Sequence, residues 1–353
     1  MTGTKTAEKP ALEIDASRGF PSWLADFGAS LAFTTYQVGK LLFIGVKPDG
    51  SLWVHNRNFG RCLGMAADGD ALWVSSDVQI YRLNDAMAGN AAPAGVEGDA
   101  FYIPQMSYFT GDLDVHDLIA ADGKPPVFVN TLFNCLATVS ETASFKPLWR
   151  PPFITEMKAE DRCHLNGVAM EDGAPRYVTA ISESDTFDGW RDHRRDGGVV
   201  IDVKTGEVIA RGLSMPHSPR LHEGRIWLCN SGQGELGFVD PDTGRFEAVA
   251  FCPGYMRGLS IHNGVAAIGL SLPRENKTFS GLPLQGELER RKVEPRCGVY
   301  FIELATGTVL HSVTIRGVIS ELYDVLFLPG RLQPGALGPG NEALKRTVSI
   351  AGG

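Results

Sequence analysis

Three histidines, His116, His164 and His217, and two acids, Glu321 and Asp324, are the residues of this chain whose types suggest shared chemistry. Imidazole nitrogen and carboxylate oxygen together hold borderline or hard divalent cations, so these five form a candidate ligand set for one divalent ion of unspecified identity. Without a metal, a histidine and a glutamate facing each other work as general base and acid, while Arg257 or Arg220 holds a carboxylate or a developing oxyanion. On that reasoning His164, His217, Glu321, Arg257 and Asn166 are the candidate catalytic residues. Tyr36, Asn130, Asn230, Glu235, Arg220, Arg274 and Tyr323 are the candidates for binding a substrate.

Each has a plainer reading. A lone histidine is often a hydrogen-bonded structural residue, Asn130 and Asn230 can satisfy turns, and Asp117 and Asp324 can brace neighbouring strands. Trp190-Arg191 reads as packing and surface. No nucleophile motif stands out: GxSxG is absent, and His217 and Ser218, adjacent in a strand, point to opposite faces. GQGELG (Gly232 to Gly237) lies between two strands instead of opening a helix, so it is not a dinucleotide fingerprint.

These residues meet only if the fold brings them together, and a repeat says that it does. Residues Met215 to Val249 read as four short strands, A to D, with turns at Glu223-Gly224, Ser231 to Glu235 and Pro241 to Gly244. The pattern recurs with a period of roughly 45 residues, in the range of propeller blades. B strands appear as LWVSS, VFVNT, RYVTA, IWLCNS and AAIGLS, each ending in small or polar residues. The A strands before them begin at Arg61, Asp114, His164, Pro216 and Met256. A sixth blade is split: residues Leu31 to Arg57 supply B, C and D, and ELYDVLFLPG, Glu321 to Gly330, supplies A.

The expected fold is therefore all-β, a six-bladed β-propeller whose last blade is closed by one C-terminal strand plus three N-terminal strands, which leaves no open sheet edge in the ring. Residues 1–30 form an N-terminal extension with a helix at Pro21 to Ser30, residues 31–330 the propeller, and residues 331–353 an irregular tail.

In such a blade the A strands begin on the face where the B strands end. The opposite face carries plain hairpins such as ADGK and HNGV. The first face collects nearly every candidate above, together with two insertions too long for hairpins, Ser182 to Gly198 and Leu272 to Gly298. Long excursions of this kind are commonly lids or binding loops. A polar ring around a channel mouth beneath two lids describes a small-molecule site.

Composition narrows the partners. At 43% hydrophobic and 21% charged over 353 residues, the chain can build a large core. A net charge of -8 argues against nucleic acid, since no basic field displaces phosphate counterions. No apolar run reaches membrane-spanning length, and the first twenty residues lack the apolar core of a signal peptide, so a cytoplasmic protein is expected. The six cysteines are scattered and read as buried small apolar residues.

The motifs HLNGVA, GLSMPHSPRLHEGRIWLCNSGQGELGFVD, PGYMRGL, GLSLPRE and CGVYFIEL, with WRPPFI and DRCHLNG, resemble those of a bacterial family of conserved hypothetical proteins. The resemblance runs from Thr35 to Asp324. More loosely, the architecture is similar to six-bladed lactonases of the gluconolactonase and regucalcin type. That likeness implies calcium above the channel, with Glu321, Asn166, Asn230 and Asp324 as its ligands. The histidines and the PHSPR segment depart from it, and propeller lyases and epimerases offer other chemistries.

Two functions follow. One is an enzyme acting on a small polar metabolite, a sugar acid, lactone or peptide-derived compound, by metal-assisted hydrolysis, elimination or isomerisation. The other is a non-catalytic propeller that binds a small ligand or a partner protein on the same face, with an apolar lid surface around Phe279, Leu282 and Leu284. Clustered histidines with shifted pKa values favour the enzyme, and histidines spread over a flat rim favour the binder.

Overall fold

The computed structural model describes residues 11–88, 95–273 and 280–348. Six sheets surround a central channel, each antiparallel in its four core strands, and the closing sheet joins Val325–Pro329 to Ala29–Thr34, Lys40–Val46 and Leu52–Asn58. One C-terminal strand plus three N-terminal strands thus complete the ring, in the register Phe33↔Val325 through Ala29↔Pro329. The first five blades follow in chain order from Met65–Asp68 to Val309–Arg316.

Local chemistry accounts for the hairpins on the plain face. Asp122-Gly123, Asp172-Gly173, Glu223-Gly224 and Asn263-Gly264 each place two consecutive residues at positive φ, as the tightest hairpin turns require. Hydrophobic residues pack between blades and not in one central core. Leu41 and Phe43 of the closing blade, for example, meet Leu72 and Val74 of the first. Trp227 and Phe238 of the fourth blade meet Leu259 and Ile268 of the fifth. All six cysteines are free and buried.

Polar latches sit at the inner edge of these layers. The hydroxyl ending a B strand donates to a carbonyl of the next blade: Thr34 to Leu63 (2.6 Å), Thr131 to Leu165 (2.6 Å), Ser231 to Met256 (2.8 Å) and Ser271 to Leu322 (3.1 Å). Acceptors on A strands take an amide of the next blade: Asp117 from Val168, Ser218 from Gly258, Ser260 from Phe327 and Asp324 from Met65. Here lies the reason the B strands end in small polar residues. Gly258 is obligatory, since it has φ +77° and a Cβ there would stand 2.5 Å from the Val325 amide nitrogen.

Both termini extend the ring's neighbours. Glu13–Ala16 adds a fifth strand to the fifth blade, antiparallel to Val309–Arg316. The helix Phe20–Phe27 buries Phe20 and Leu24 between the fifth and closing blades. The tail expected to be irregular contains a strand, Pro334–Ala336, parallel to Ala100–Phe109 of the first blade. Backbone pairing and the Trp53 Nε1 bond to the Pro334 carbonyl (2.7 Å) order this Gly/Pro-rich segment where composition alone favours coil. Among the described residues no helix is long and apolar enough to cross a membrane.

Candidate functional site

The same short device positions two of the three histidines. Asp114 and Met215 adopt left-handed conformations, φ +51° and +49°, two residues before His116 and His217. Each thereby aims its carbonyl at the imidazole Nδ1, at 2.9 Å in both cases. A carbonyl only accepts, so Nδ1 carries the proton and Nε2 the lone pair. In the third blade a carboxylate replaces the carbonyl: Asp161 Oδ2 lies 2.8 Å from His164 Nδ1. None of the three Nε2 atoms has a hydrogen-bond partner among the described residues, and that of His217 is fully enclosed.

The rings gather at the channel mouth. His116 stands edge-on to His164, centroids 4.7 Å apart, and 6.5 Å from His217. Tyr323 closes on His116 at 5.5 Å, and Tyr255 on His217 at 5.7 Å. The Arg257 guanidinium lies over both tyrosines, 4.9 Å from the Tyr323 centroid and 5.3 Å from that of Tyr255. Tyr36 stacks on Tyr323 at 5.8 Å, and Arg61 of the first blade lies over Tyr36. Every blade therefore contributes to one ring.

Electrostatics follow from burial. His116 is pushed down to about 4 by burial, although Asp114 beside it pulls the other way. His217 falls well below its ordinary value through burial and the Arg257 charge. Burial lifts the Asp114 carboxyl, but His116, His164, Arg61 and Arg257 outweigh it and hold it below the usual range. Burial raises the Tyr323 phenol well above normal, against the opposing Arg257. Near neutral pH the His116 and His217 imidazoles are neutral and the Tyr323 phenol is protonated, beside Arg257.

The lids close over this ring. Trp190, in the turn of 3-10 helix Gly189–His193, stacks on His164 at 4.2 Å and donates Nε1–H to the same Asp161 oxygen at 2.8 Å. It is packed as expected, 2% exposed, and it also shares the acid that orients His164. The second lid carries the helix Pro283–Arg291, whose Leu284 and Leu288 join Trp190, Met215 and Tyr255 in one apolar cluster. Leu282 and Leu284 face inward, so the expected apolar docking surface is not exposed at those residues. Phe279 and Arg274 lie outside the described residues. Between the closing and first blades, Tyr36 and Arg61 line an open depression of about 370 Å³.

Below the histidines the channel is bridged. Arg220 donates to Asp117 at 2.9 Å and lies 3.8 Å from Asp324, tying the fourth, second and closing blades. Burial and the neighbouring Asp117 charge lift Asp324 to about 7 despite Arg220. Both Asp324 oxygens also accept backbone amides, of Met65 and Val325. Arg220 and Asp324 thus have structural partners.

Asn230 accepts the Ser214 amide and donates to Glu235 at 3.3 Å, and Asn130 accepts the Phe133 amide, so all three serve turns. Asn166 accepts the Thr179 hydroxyl and leaves Nδ2 without a partner. Glu321 is buried near the mouth, 4% exposed. Among the described residues no three His, Cys, Asp or Glu side chains are grouped to hold one metal ion. Asp161 and Tyr255 escaped the sequence reading. Asp161 stands three residues before His164, a legible spacing for an orienting acid, and Tyr255 begins the A strand one residue earlier than the repeat suggested.

Fold and mouth together define a six-bladed β-propeller with a lidded, histidine-rich channel mouth. The chain belongs to the family described as Domain of unknown function (DUF4915), whose model matches residues 18–337. No curated protein matches it. Among solved structures, the nidogen/laminin complex is similar at a TM-score of 0.53 and 12% identity, covering 86% of this chain and 99% of that one. That likeness shows the fold alone. Virginiamycin B lyase from Staphylococcus aureus matches over 86% of this chain and 99% of its own at a TM-score of 0.40 and 9% identity, too low to carry an argument.

Proposed function

We propose that the protein is an enzyme that moves a proton on a small polar molecule at the channel mouth, in an elimination or isomerisation. His164, oriented by Asp161, is the general base. Arg257 and the Tyr323 hydroxyl face the charge that develops on the substrate. The observation that carries this reading is the trio of imidazoles, each tethered through Nδ1 and each with an Nε2 that has no hydrogen-bond partner among the described residues, within 6.5 Å of a neighbour. Clustering and depressed pKa values at His116 and His217 favour catalysis over a rigid binding rim.

A divalent ion held by the Nε2 atoms is the second reading. Tethering of Nδ1 to an oxygen is the usual support of a metal-binding histidine. Against it stands the lack of a suitable donor group among the described residues. A calcium site of the lactonase kind finds less support, because Asn230 and Asp324 already engage backbone amides.

The test is incubation of the purified protein with fractionated metabolites in D2O, read by mass spectrometry, beside elemental analysis. We expect a consumed metabolite whose product carries deuterium, with kcat/KM lower by about 10²- to 10⁴-fold in His164→Gln and in Asp161→Asn. Turnover unchanged in both variants refutes the assignment of the base. A stoichiometric divalent metal moves the mechanism to the second reading.

A further inference from the structure

We infer that the substrate of this mouth is a polyhydroxy carboxylate, with its carboxylate against Arg257 and Tyr323 and its hydroxyls on the Nε2 atoms of the three histidines. The inference rests on the acid–base reading above and names the substrate class of that site.

The mouth is divided by hydrogen-bonding sense. On the side of the second, third and fourth blades stand three imidazoles whose Nδ1 protons are committed to Asp114, Asp161 and Met215 oxygens. His116 and His217 offer only an acceptor there, the His164 Nε2 stands beside them, and neighbouring rings lie 4.7 and 6.5 Å apart. A ligand with a single donor leaves buried acceptors unpaired, at a cost of about 1–3 kcal/mol each. A run of adjacent hydroxyls satisfies all three.

The side of the fifth and closing blades carries donors beside the buried Glu321. Arg257 lies between the faces of Tyr255 and Tyr323, and the Tyr323 hydroxyl is buried with no hydrogen-bond partner among the described residues. A planar anion suits a guanidinium and a phenol together. Asp114, close enough to lower its own pKa against Arg61 and Arg257, offsets part of their charge. It is itself an acceptor, which again suits hydroxyls over a second anionic group.

Calorimetric titration with three matched kinds of probe tests this. Gluconate and galactonate carry both features, sorbitol and galactitol the hydroxyls alone, and hexanoate the carboxylate alone. We expect an aldonate to bind about 10- to 100-fold more tightly than its alditol and than hexanoate. Arg257→Gln should erase the preference over the alditol, and His217→Phe the preference over hexanoate, with thermal melts confirming that each variant folds. If Arg257→Gln does not fold, Tyr323→Phe takes its place, with a smaller loss. Binding of no aldonate, equal binding of the alditol, or a preference that survives in the arginine variant overturns the inference. An aldonate bound without deuterium exchange refutes the acid–base reading and leaves the ligand class. Turnover of another compound that depends on His164, with no aldonate bound, does the reverse.

Discussion

At the scale of single residues, the histidines matter through the nitrogen they leave open. The left-handed backbone at Asp114 and Met215 costs of order 1–3 kcal/mol at each residue, and it turns a carbonyl onto Nδ1. Burial then keeps the His116 and His217 rings neutral, with a consequence for stability. The unfolded chain binds a proton at His116 near pH 6.5, the folded chain only near pH 4. Between those values the unfolded state holds more protons, so stability falls as pH falls, by about 3 kcal/mol at most for His116, with His217 acting in the same direction. Urea unfolding at pH 7 and pH 4 should show this loss, and it should shrink in His116→Gln. An undiminished loss in that variant would mean that the proton uptake lies elsewhere.

At the scale of elements, neighbouring blades are joined by apolar layers and by latches from B-strand hydroxyls and A-strand acceptors. Their most concentrated form is Arg220 between Asp117 and Asp324. Removing the guanidinium leaves two enclosed carboxylates facing each other. Arg220→Met should cost about 3 kcal/mol, the low end for breaking a buried pair, because channel water reaches the 23% of its side chain that is exposed. Chemical denaturation reads the loss, and adding Asp117→Asn should recover part of it. No recovery would show that the arginine acts by packing. Only half of this arrangement was legible in the sequence. SS and NT at the ends of B strands announced polar termini, and Asp117 and Asp324 were readable as braces. That Arg220 joins them was not legible, because its partners lie more than a hundred residues away along the chain.

At the scale of the whole molecule, closure decides whether there is a ring at all. Val325–Pro329 supplies the innermost strand of the closing blade and part of the apolar layer that also holds Phe20. A chain ending at residue 324 should lose cooperative unfolding, whereas one ending at residue 330, which lacks the outer Pro334–Ala336 strand and the 3-10 helix Glu342–Arg346, should stay folded with a lower Tm. Equal melting of both truncations would refute the closing role of that strand.

Blade number, hairpins, the split closing blade and the face that gathers the polar ring were determined by the sequence itself. Each is encoded in consecutive residues, as alternation of apolar side chains and as the φ > 0 demand of Asp-Gly and Asn-Gly turns. Which polar residues remain available for chemistry was decided only by the tertiary structure. Asn130, Asn230, Asp324 and Arg220 look like His116, His164 and His217 in a one-dimensional list, yet the first four have structural partners and the histidines keep an Nε2 without a partner among the described residues. Tyr255 and Trp190 joined the site for the same reason: a hydrogen bond or a ring contact depends on distance in space, which spacing along the chain does not set.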